Sequence, residues 1–255
     1  PVEILGVPEI SDVAALATLL RELKCDVEID GERIKVDPTH MEDIPLVSDA
    51  VNKLRASYYF MGALLGKCKK VTMKMPGGCF LGPRPIDLHI KGFEALGAKV
   101  DYSNDGTYTI EAKRLVGNKI YLDFASVGAT INVMLAASMA QGKTIIENAA
   151  KEPHVVDVAN MLNSMGANIR GAGTDKIRIE GVEKLHGTVY STIPDQIEAG
   201  TFMCAAAATG GSVLVKNVIP KHLECISAKL IEMGCVITEY DDAVRVKGGE
   251  FIRNT

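Results

Sequence analysis

Four stretches of this 255-residue chain share one pattern. In each, an apolar helical pattern ends at an equivalent pair of residues, and two runs of alternating apolar and polar residues follow around a polar turn. The four pairs, which lie 73, 69 and 68 residues apart, are Lys24-Cys25, Gly97-Ala98, Gly166-Ala167 and Gly234-Cys235. Glycine at this position is typical of a helix C-terminus, where the backbone turns to positive φ. A regular spacing of this length indicates one structural unit that is repeated along the chain.

A strand pattern precedes each of these helices, and a helix rich in small residues precedes three of the four strands. The three helices are NKLRASYYFMGALLG, VGATINVMLAASMAQG and IEAGTFMCAAAATGG. Small residues let a helix lie close to its neighbours, so we expect these three to be the most buried elements. The unit is therefore helix, strand, helix, strand, strand, which is an α/β (α+β) organisation. Because the first unit lacks its leading helix, we expect the chain to be a fragment of a longer protein.

Composition and charge exclude several classes of partner. A formal net charge of −4 and a pI near 5.8 give no positive field that would attract nucleic acid or an anionic membrane. The longest apolar runs, VMLAASMA and FMCAAAA, are too short for membrane insertion. The six cysteines form no CxxC pair and no zinc-binding spacing with the five histidines, so we expect no metal site. Scattered cysteines are typical of reduced thiols in a cytoplasmic protein.

The second repeat departs from the others between its first strand and the following helix. The end of the strand and the end of the helix are 17 residues apart in the first and third repeats and 16 in the fourth, but Met75 and Gly97 are 22 apart. The extra residues fall in PGGCFLGPRP, residues 76–85. Helix and strand lengths are set by packing, so the insertion lengthens a loop. Long loops of this kind frequently carry function.

Cys79 is the candidate reactive group of this loop. It follows Gly77 and Gly78, whose conformational freedom would let the loop cover a ligand. Arg84 offers a planar guanidinium that suits a phosphate or a carboxylate. A nearby cation and a helix N-terminus would lower the pKa of the Cys79 thiol, making it a usable acid or nucleophile. The alternative is that Cys79 is one more small buried hydrophobic residue.

Other candidates lie near predicted helix starts. Asp87 and His89 either cap the next helix or contact a ligand. Arg55 lies within an apolar helix, where it is either an ordinary surface arginine or a charge in a buried stripe that needs an anionic partner. Ser126 is a candidate N-cap, which leaves free backbone amides at Val127 and Gly128 that could bind a phosphate.

Five stretches of the chain carry a resemblance to a known family, and they are LRASYYFMGALLG, PGGCFLGPRPIDLHIKGFEALGA, SVGATINVMLAAS, IIENAAKEPHVVDVANMLNSMGA and RIEGVEKLHG. They resemble the enolpyruvyl transferase family, in particular the branch that acts on UDP-N-acetylglucosamine, and the resemblance runs from about residue 1 to residue 250. It implies repeated βαβαββ units in an inside-out α/β barrel with pseudo-threefold packing. It also implies a cysteine-loop catalytic domain over residues 1–193 that lacks its first helix. Residues 194–255 would be a linker plus one repeat of a second domain.

The resemblance implies an activity as well. Enolpyruvyl would pass from phosphoenolpyruvate to the 3-hydroxyl of UDP-N-acetylglucosamine, the first committed step of peptidoglycan synthesis in the bacterial cytoplasm. Phosphoenolpyruvate is protonated on its methylene carbon, the hydroxyl attacks C2, and the tetrahedral intermediate expels phosphate. No cofactor and no metal is implied, and the enzyme would be a target of fosfomycin.

The resemblance assigns site residues by position. Cys79 would be the proton donor and could hold a covalent phosphoenolpyruvate adduct. The remaining matched residues would bind substrate, and they are Arg55, Arg84, Pro85, Ile86, Asp87, Leu88, Phe124, Ala125, Ser126, Val127 and Gly128. Two positions depart from the family pattern. Phe124 stands where many relatives have lysine, and Gln196 stands where relatives usually have arginine.

Two alternatives stay open from the sequence. One is the related shikimate-pathway transferase, against which the cysteine loop argues. The other is a truncated, non-catalytic relative that acts as a ligand-binding or interaction domain. That alternative rests on the family's essential lysine loop and an active-site aspartate, which we expect before Pro1 and beyond Thr255. We therefore expect the 255-residue chain to be inactive by itself and to require the rest of the second domain.

Overall fold

The computed structural model describes residues 1–77 and 85–249. Two compact units divide the chain, Pro1–Thr192 and Ile193–Thr255. The candidate residues Cys79 and Arg84 lie outside the described residues.

The first unit contains six α-helices and eleven strands within its described part. The helices are α1 (Ser11–Glu22), α2 (Asp49–Lys53), α3 (Tyr59–Cys68), α4 (Asp87–Ala95), α5 (Val127–Ala137) and α6 (Pro153–Ser164), with a 3-10 turn at Arg55–Tyr58 between α2 and α3. The strands are β1 (Val2–Leu5), β2 (Asp26–Asp30), β3 (Arg33–Asp37), β4 (Lys70–Lys74), β5 (Lys99–Tyr102), β6 (Thr107–Glu111), β7 (Lys119–Tyr121), β8 (Lys143–Glu147), β9 (Asn168–Arg170), β10 (Lys176–Glu180) and β11 (Val189–Ser191).

The second unit contains one further repeat. Its elements are α7 (Gln196–Ala208), β12 (Ser212–Lys216), a 3-10 turn at Pro220–Leu223, α8 (Glu224–Glu232), β13 (Val236–Glu239) and β14 (Ala243–Lys247). None of the helices in the described ranges of either unit combines the length and hydrophobicity that crossing a bilayer requires.

Every repeat builds its sheet in the same order. The first strand lies beside the third, and the third lies beside the second, all antiparallel, in β1-β3-β2, β4-β6-β5, β8-β10-β9 and β12-β14-β13. Two short strands add parallel edges, because β11 pairs with β1 and β7 pairs with β8. The α/β fold of repeated units is thus as the sequence predicts. Among the described residues the sheets stay separate and do not join into one closed barrel.

The predicted helix ends are confirmed in all four repeats. The backbone takes positive φ at Lys24 (64°), Gly97 (95°), Gly166 (96°) and Gly234 (99°). At each of them the next amide donates to a carbonyl five residues back, as from Ala98 N to Phe93 O at 3.0 Å. This pairing satisfies carbonyls that the helix end would otherwise leave free, so the helix stops there and the chain turns into the hairpin.

The helices α3 and α5 form the centre of the first unit, as their small residues predict. They approach so closely that a Cβ added at Gly62 would lie 2.3 Å from the backbone oxygen of Asn132. The same expectation is wrong for α7, in which Ile197 and Phe202 are 64% and 54% exposed and Cys204 is exposed. Within its own unit α7 packs mainly against one three-stranded sheet, which covers one side of the helix.

The helix predicted over NKLRASYYFMGALLG is interrupted. Leu54 takes an extended conformation (φ −125°, ψ 115°), so α2 ends at Lys53 and the 3-10 turn begins at Arg55. The carbonyl of Val51, freed by this break, accepts a hydrogen bond from the buried Ser57 hydroxyl at 3.0 Å. The Val51 carbonyl therefore keeps a hydrogen-bond donor despite the break. The break also places Arg55 outside a regular helix.

Candidate functional site

Pro76 and Gly77, which precede Cys79 in the chain, contact the 3-10 turn and α2. The Gly77 amide donates to the Val51 carbonyl at 3.3 Å. A Cβ at Gly77 would lie 1.9 Å from the backbone oxygen of Asn52, so only glycine fits there. Arg55 donates from Nη1 to the Pro76 carbonyl at 3.1 Å. The requirement for Gly77 is thus close backbone contact, and positive φ plays no part in it.

The N-terminus of α4 follows the loop directly. Asp87 is the first residue of the helix, and its N-cap, Ile86, makes no capping hydrogen bond through its side chain. Asp87 is exposed, and none of the described residues pairs with its carboxylate, so the predicted capping role is wrong. Ile86 and Leu88 are buried in the core, whereas Pro85 is exposed. Of the four predicted contacts of this segment that the structure describes, Pro85 and Asp87 present side chains to solvent. Ile86 and Leu88 could reach a ligand only through their backbone.

The N-terminus of α5 has the predicted cap. The Ser126 hydroxyl accepts a hydrogen bond from the Ala129 amide at 3.3 Å. No described residue accepts a hydrogen bond from the amides of Val127 and Gly128. These free N–H groups, at the positive end of the helix dipole, form an electropositive position that suits an anion. Phe124 and Ala125 precede the cap and are exposed.

Two contacts hold α4 beside α5. Lys91 of α4 pairs with Asp123, just before the α5 cap, at 2.8 Å. Gly92 of α4 faces Val133 of α5 so closely that an added Cβ would lie 2.2 Å from Val133 Cγ2. The ion pair is solvent-exposed and contributes little free energy. The glycine contact fixes the separation of the two helices and therefore of their N-termini.

Aromatic side chains connect Arg55 to these helix starts. The Arg55 guanidinium carbon lies 5.5 Å from the centre of the Tyr58 ring, and Tyr58 meets His89 edge-on with 5.0 Å between ring centres. A Cβ at Gly128 would lie 2.9 Å from the Tyr58 hydroxyl and 3.1 Å from His89 Nε2. The structure thus brings Arg55, the first turn of α4 and the first turn of α5 into one junction. We call Arg55, Tyr58, His89 and Gly128 the junction cluster.

His89 is buried within the cluster, and its pKa is lowered. It is 6% exposed, and its Nδ1 lies 2.8 Å from Nδ2 of the fully buried Asn132. Burial, followed by the positive charge of Arg55, lowers the pKa of His89 to about 4, although Asp87 opposes the shift. Of the two roles weighed for His89, capping is wrong, because the side chain lies in the interior between the two helices.

Sequence reasoning overlooked Tyr58 and Asn132. Asn132 carried a detectable signal, because an amide in the apolar run VGATINVML must find hydrogen-bond partners once the helix is buried. Tyr58 gave no comparable signal, since its role depends on the break after α2. Within residues 1–77 and 85–249, no group of three or more histidine, cysteine, aspartate or glutamate side chains is placed to hold a metal ion.

Repeated β-α-β-β sheets around central helices are also the fold of solved enolpyruvyl transferases. The enolpyruvyl transferase NikO from Streptomyces tendae matches 97% of this chain, and 60% of its own chain, with a TM-score of 0.83 at 24% identity. The EPSP synthase of Acinetobacter baumannii matches all of this chain, and 60% of its own, with a TM-score of 0.72 at 22% identity. At these identities the likeness establishes the fold.

The chain belongs to the EPSP synthase (3-phosphoshikimate 1-carboxyvinyltransferase) family, whose sequence profile matches residues 1–254. UDP-N-acetylglucosamine 1-carboxyvinyltransferase 2 of Bacillus subtilis is 57% identical to it over 249 residues, which are 98% of this chain and 58% of that protein. UDP-N-acetylglucosamine 1-carboxyvinyltransferase 1 of Staphylococcus haemolyticus is 56% identical over 238 residues, 93% of this chain and 56% of that protein. The chain therefore spans less than two thirds of the length of these relatives.

Proposed function

We propose that this chain forms the cysteine-loop part of an enzyme that transfers enolpyruvyl from phosphoenolpyruvate to the 3-hydroxyl of UDP-N-acetylglucosamine, in peptidoglycan synthesis. The observation that carries the proposal is the junction cluster, where Arg55 and the N-termini of α4 and α5 meet and where Arg55 binds the carbonyl of Pro76. Relatives at 55–57% identity bear the name of this activity.

The charges of the junction fit such substrates. A nucleotide diphosphate and phosphoenolpyruvate are both anionic, and the junction offers the Arg55 guanidinium and the free amides of Val127 and Gly128. Asp87 is exposed and can accept hydrogen bonds from the N–H or hydroxyl groups of a nucleotide. Phe124, Ala125 and Pro85 offer exposed surface to the same ligand. We propose that Arg84 adds a second guanidinium, as the family resemblance implies.

The proposed reaction needs an acid that delivers a proton to carbon. Cys79 gives its thiol proton to the methylene carbon of phosphoenolpyruvate, and the sugar hydroxyl bonds to C2 as its own proton passes to solvent. The tetrahedral intermediate then breaks its C2–O bond to phosphate, and a proton of the new methyl group returns to the Cys79 thiolate, which yields the enolpyruvyl ether and inorganic phosphate. A covalent adduct between Cys79 and phosphoenolpyruvate is a side branch of this scheme.

We propose a cytoplasmic location, because free thiols such as Cys25, Cys68 and Cys235 persist in a reducing compartment. A role in cell shape and division, and sensitivity to fosfomycin, belong to the same proposal. We also propose that turnover requires the further repeats that the relatives contain, because this chain spans 58% of the Bacillus subtilis relative.

The experiment uses the longest natural reading frame that contains this chain. Inorganic phosphate released from phosphoenolpyruvate is measured with UDP-N-acetylglucosamine or shikimate 3-phosphate as the acceptor. The proposal predicts release that depends on UDP-N-acetylglucosamine, with shikimate 3-phosphate inactive. Release with shikimate 3-phosphate alone would assign the shikimate-pathway reaction instead, and release with neither acceptor would contradict an enolpyruvyl transferase.

A further inference from the structure

The outer face of the sheet in the third repeat carries an excess of positive charge. This sheet packs against α5 and α6 through buried residues of β8, β9 and β10, so the alternate residues of its strands face away from the core. The charged residues on that outer face are Lys119, Lys143, Arg170, Lys176, Arg178, Glu147 and Glu180. Five positive and two negative charges give the face a net charge of +3, although the whole chain has a net charge of −4.

Part of this charge is neutralised within the face. Glu147 pairs with Lys176 at 2.8 Å and with Lys119 at 3.0 Å, and these two contacts hold the pKa of its carboxyl below the ordinary value. The guanidinium groups of Arg170 and Arg178, in contrast, form neither an ion pair nor a hydrogen bond with any residue of the ranges 1–77 and 85–249. Two permanent cations therefore lie exposed without a counter-charge from the described part of the chain.

These two arginines lie directly opposite each other. Arg178 of β10 is in register with Arg170 of β9 on one side and with Ile145 of β8 on the other. Like charges at opposite positions of neighbouring antiparallel strands repel each other and cost free energy. We call Arg170 and Arg178 the arginine pair.

The other repeats avoid this arrangement at the same register. The three residues that lie side by side there are Glu3, Lys35 and Glu28 in the first repeat, Thr72, Thr109 and Asp101 in the second, Ile145, Arg178 and Arg170 in the third, and Leu214, Arg245 and Thr238 in the fourth. A cation at the centre thus has two acidic neighbours in the first repeat and two neutral ones in the fourth. Among the four described sheets, only that of the third repeat sets two cations opposite each other.

The face is concave where the arginine pair lies. A cavity of about 250 Å³ opens there, and its lining includes both arginines, Lys143, Ile145 and Glu180. Drug-sized ligands occupy cavities of about 300–1,000 Å³, so this volume suits a smaller molecule. Its lining combines three cations with one partly buried apolar side chain and one carboxylate.

We propose that this cavity binds a small hydroxylated phosphate ester, with the phosphate between the two guanidinium groups of the arginine pair. Guanidinium groups donate in parallel to phosphate oxygens, so a phosphate replaces the repulsion between the arginines by two attractions. Lys143 adds a third cation, and Ile145 offers an apolar contact for the carbon skeleton. Glu180, which accepts one hydrogen bond from Asn168 at 3.4 Å, has a second carboxylate oxygen that can accept from a ligand hydroxyl.

This site is separate from the junction cluster, because α5 packs against the opposite face of the sheet. The inference therefore does not depend on the proposed function. Either one can fail while the other stands.

Amide NMR spectra locate the binding. The 255-residue chain is titrated with glucose 6-phosphate, with inorganic phosphate and with glucose, each up to about 10 mM, a range that detects millimolar dissociation constants. We expect glucose 6-phosphate to shift amides of β8, β9 and β10, inorganic phosphate to shift the same amides with weaker affinity, and glucose to shift none. Shifts confined to the N-terminus of α5, or no shifts with either phosphate compound, would overturn the site. Equal affinity for the two phosphate compounds would overturn the assignment to an ester.

A matched pair of substitutions tests the arginines. Arg178→Gln should weaken glucose 6-phosphate binding at least about tenfold, as for lost hydrogen bonds to a charged group. Arg245→Gln makes the same change of charge at the equivalent register of the fourth repeat and should bind like the unmodified chain. Equal weakening in the two variants would show a general effect of charge and would overturn the assignment.

The repulsion within the arginine pair gives a readout without any ligand. At low ionic strength and without phosphate, Arg170→Gln should raise the urea midpoint of unfolding, because it removes the repulsion, whereas Arg245→Gln should leave the midpoint unchanged. Saturating glucose 6-phosphate should raise the midpoint of the unmodified chain more than that of Arg170→Gln. A lower midpoint for ligand-free Arg170→Gln than for the unmodified chain would overturn the proposal, since the arginines would then already have a counter-charge.

Discussion

At the scale of single residues, the burial of His89 has a consequence for stability. The folded state holds its pKa at about 4, below the ordinary value of 6.5. Above pH 6.5 the ring is neutral in both states and costs nothing. Between pH 6.5 and 4 His89 becomes protonated in the unfolded chain but stays neutral in the folded chain. The free energy of unfolding therefore falls as the pH falls. Below pH 4 the difference stays constant.

This linkage predicts a pH-dependent loss that the His89→Gln variant lacks. Urea unfolding of the chain at pH 7 and pH 4 should show that the unmodified protein loses up to about 3 kcal/mol more than the variant. His89→Gln is the matched control, because it removes the titrating group and keeps an amide of similar length. Equal losses in the two proteins would show that His89 is not held neutral by the fold.

At the scale of elements, the close contact of α3 with α5 positions Asn132 beside the junction cluster. Gly62 does two things there, since its missing side chain admits the Asn132 backbone and its amide holds the Asn132 side chain. Gly66, one turn later, lies less tightly against α5, because an added Cβ would be 3.1 Å from the Leu135 carbonyl oxygen. The two glycines therefore differ in how much space a methyl group would find.

We predict that Gly62→Ala destabilises the chain by about 2 kcal/mol, because overpacking exceeds the gain in helix propensity. Gly66→Ala should stay within about 1 kcal/mol of the unmodified chain, because the two effects nearly cancel there. The free energies of unfolding come from urea titrations at pH 7. A Gly62→Ala protein as stable as the Gly66→Ala protein would contradict the contact.

The helix ends allow a second comparison between repeats. Lys24 holds the positive-φ position that glycine holds in the other three repeats. Lys24→Gly should therefore stabilise the chain by about 0.5–1 kcal/mol, and Gly97→Lys, at the equivalent position, should destabilise it by about 1 kcal/mol. Thermal unfolding of the two variants checks the opposite signs. A change of the same sign in both would contradict equivalent helix ends.

At the scale of the whole molecule, local signals and distant contacts differ in how far the sequence predicts them. The repeat register and the positive φ at Gly97, Gly166 and Gly234 follow from local residue chemistry, as does the Ser126 cap. The break at Leu54 has no such local signal, and the helix that ends there contacts Gly77 from another part of the chain.

The meeting of side chains at the junction likewise depends on tertiary packing. His89 and Gly128 lie on different helices, and nothing in either segment alone indicates that they touch. The exposure of α7 was not predicted for a related reason. A helix of small residues is buried only where neighbouring elements cover all its sides. The sequence thus predicts the elements and the family, and the structure supplies the donors around the proposed anion site.

The central claim is that Cys79 protonates phosphoenolpyruvate at this site, and a pH–rate profile tests it most directly. In the longest reading frame that contains the chain, UDP-N-acetylglucosamine-dependent phosphate release is measured for the unmodified protein, Cys79→Asp and Cys79→Ser, each first shown to bind the nucleotide. Cys79→Asp should stay active with its optimum at lower pH, because a carboxyl group keeps its proton only in more acid solution, and should resist fosfomycin. Cys79→Ser should lose at least about a hundredfold, because a hydroxyl is too weak an acid. A Cys79→Asp protein that binds nucleotide but is inactive at every pH would contradict the proton-donor role.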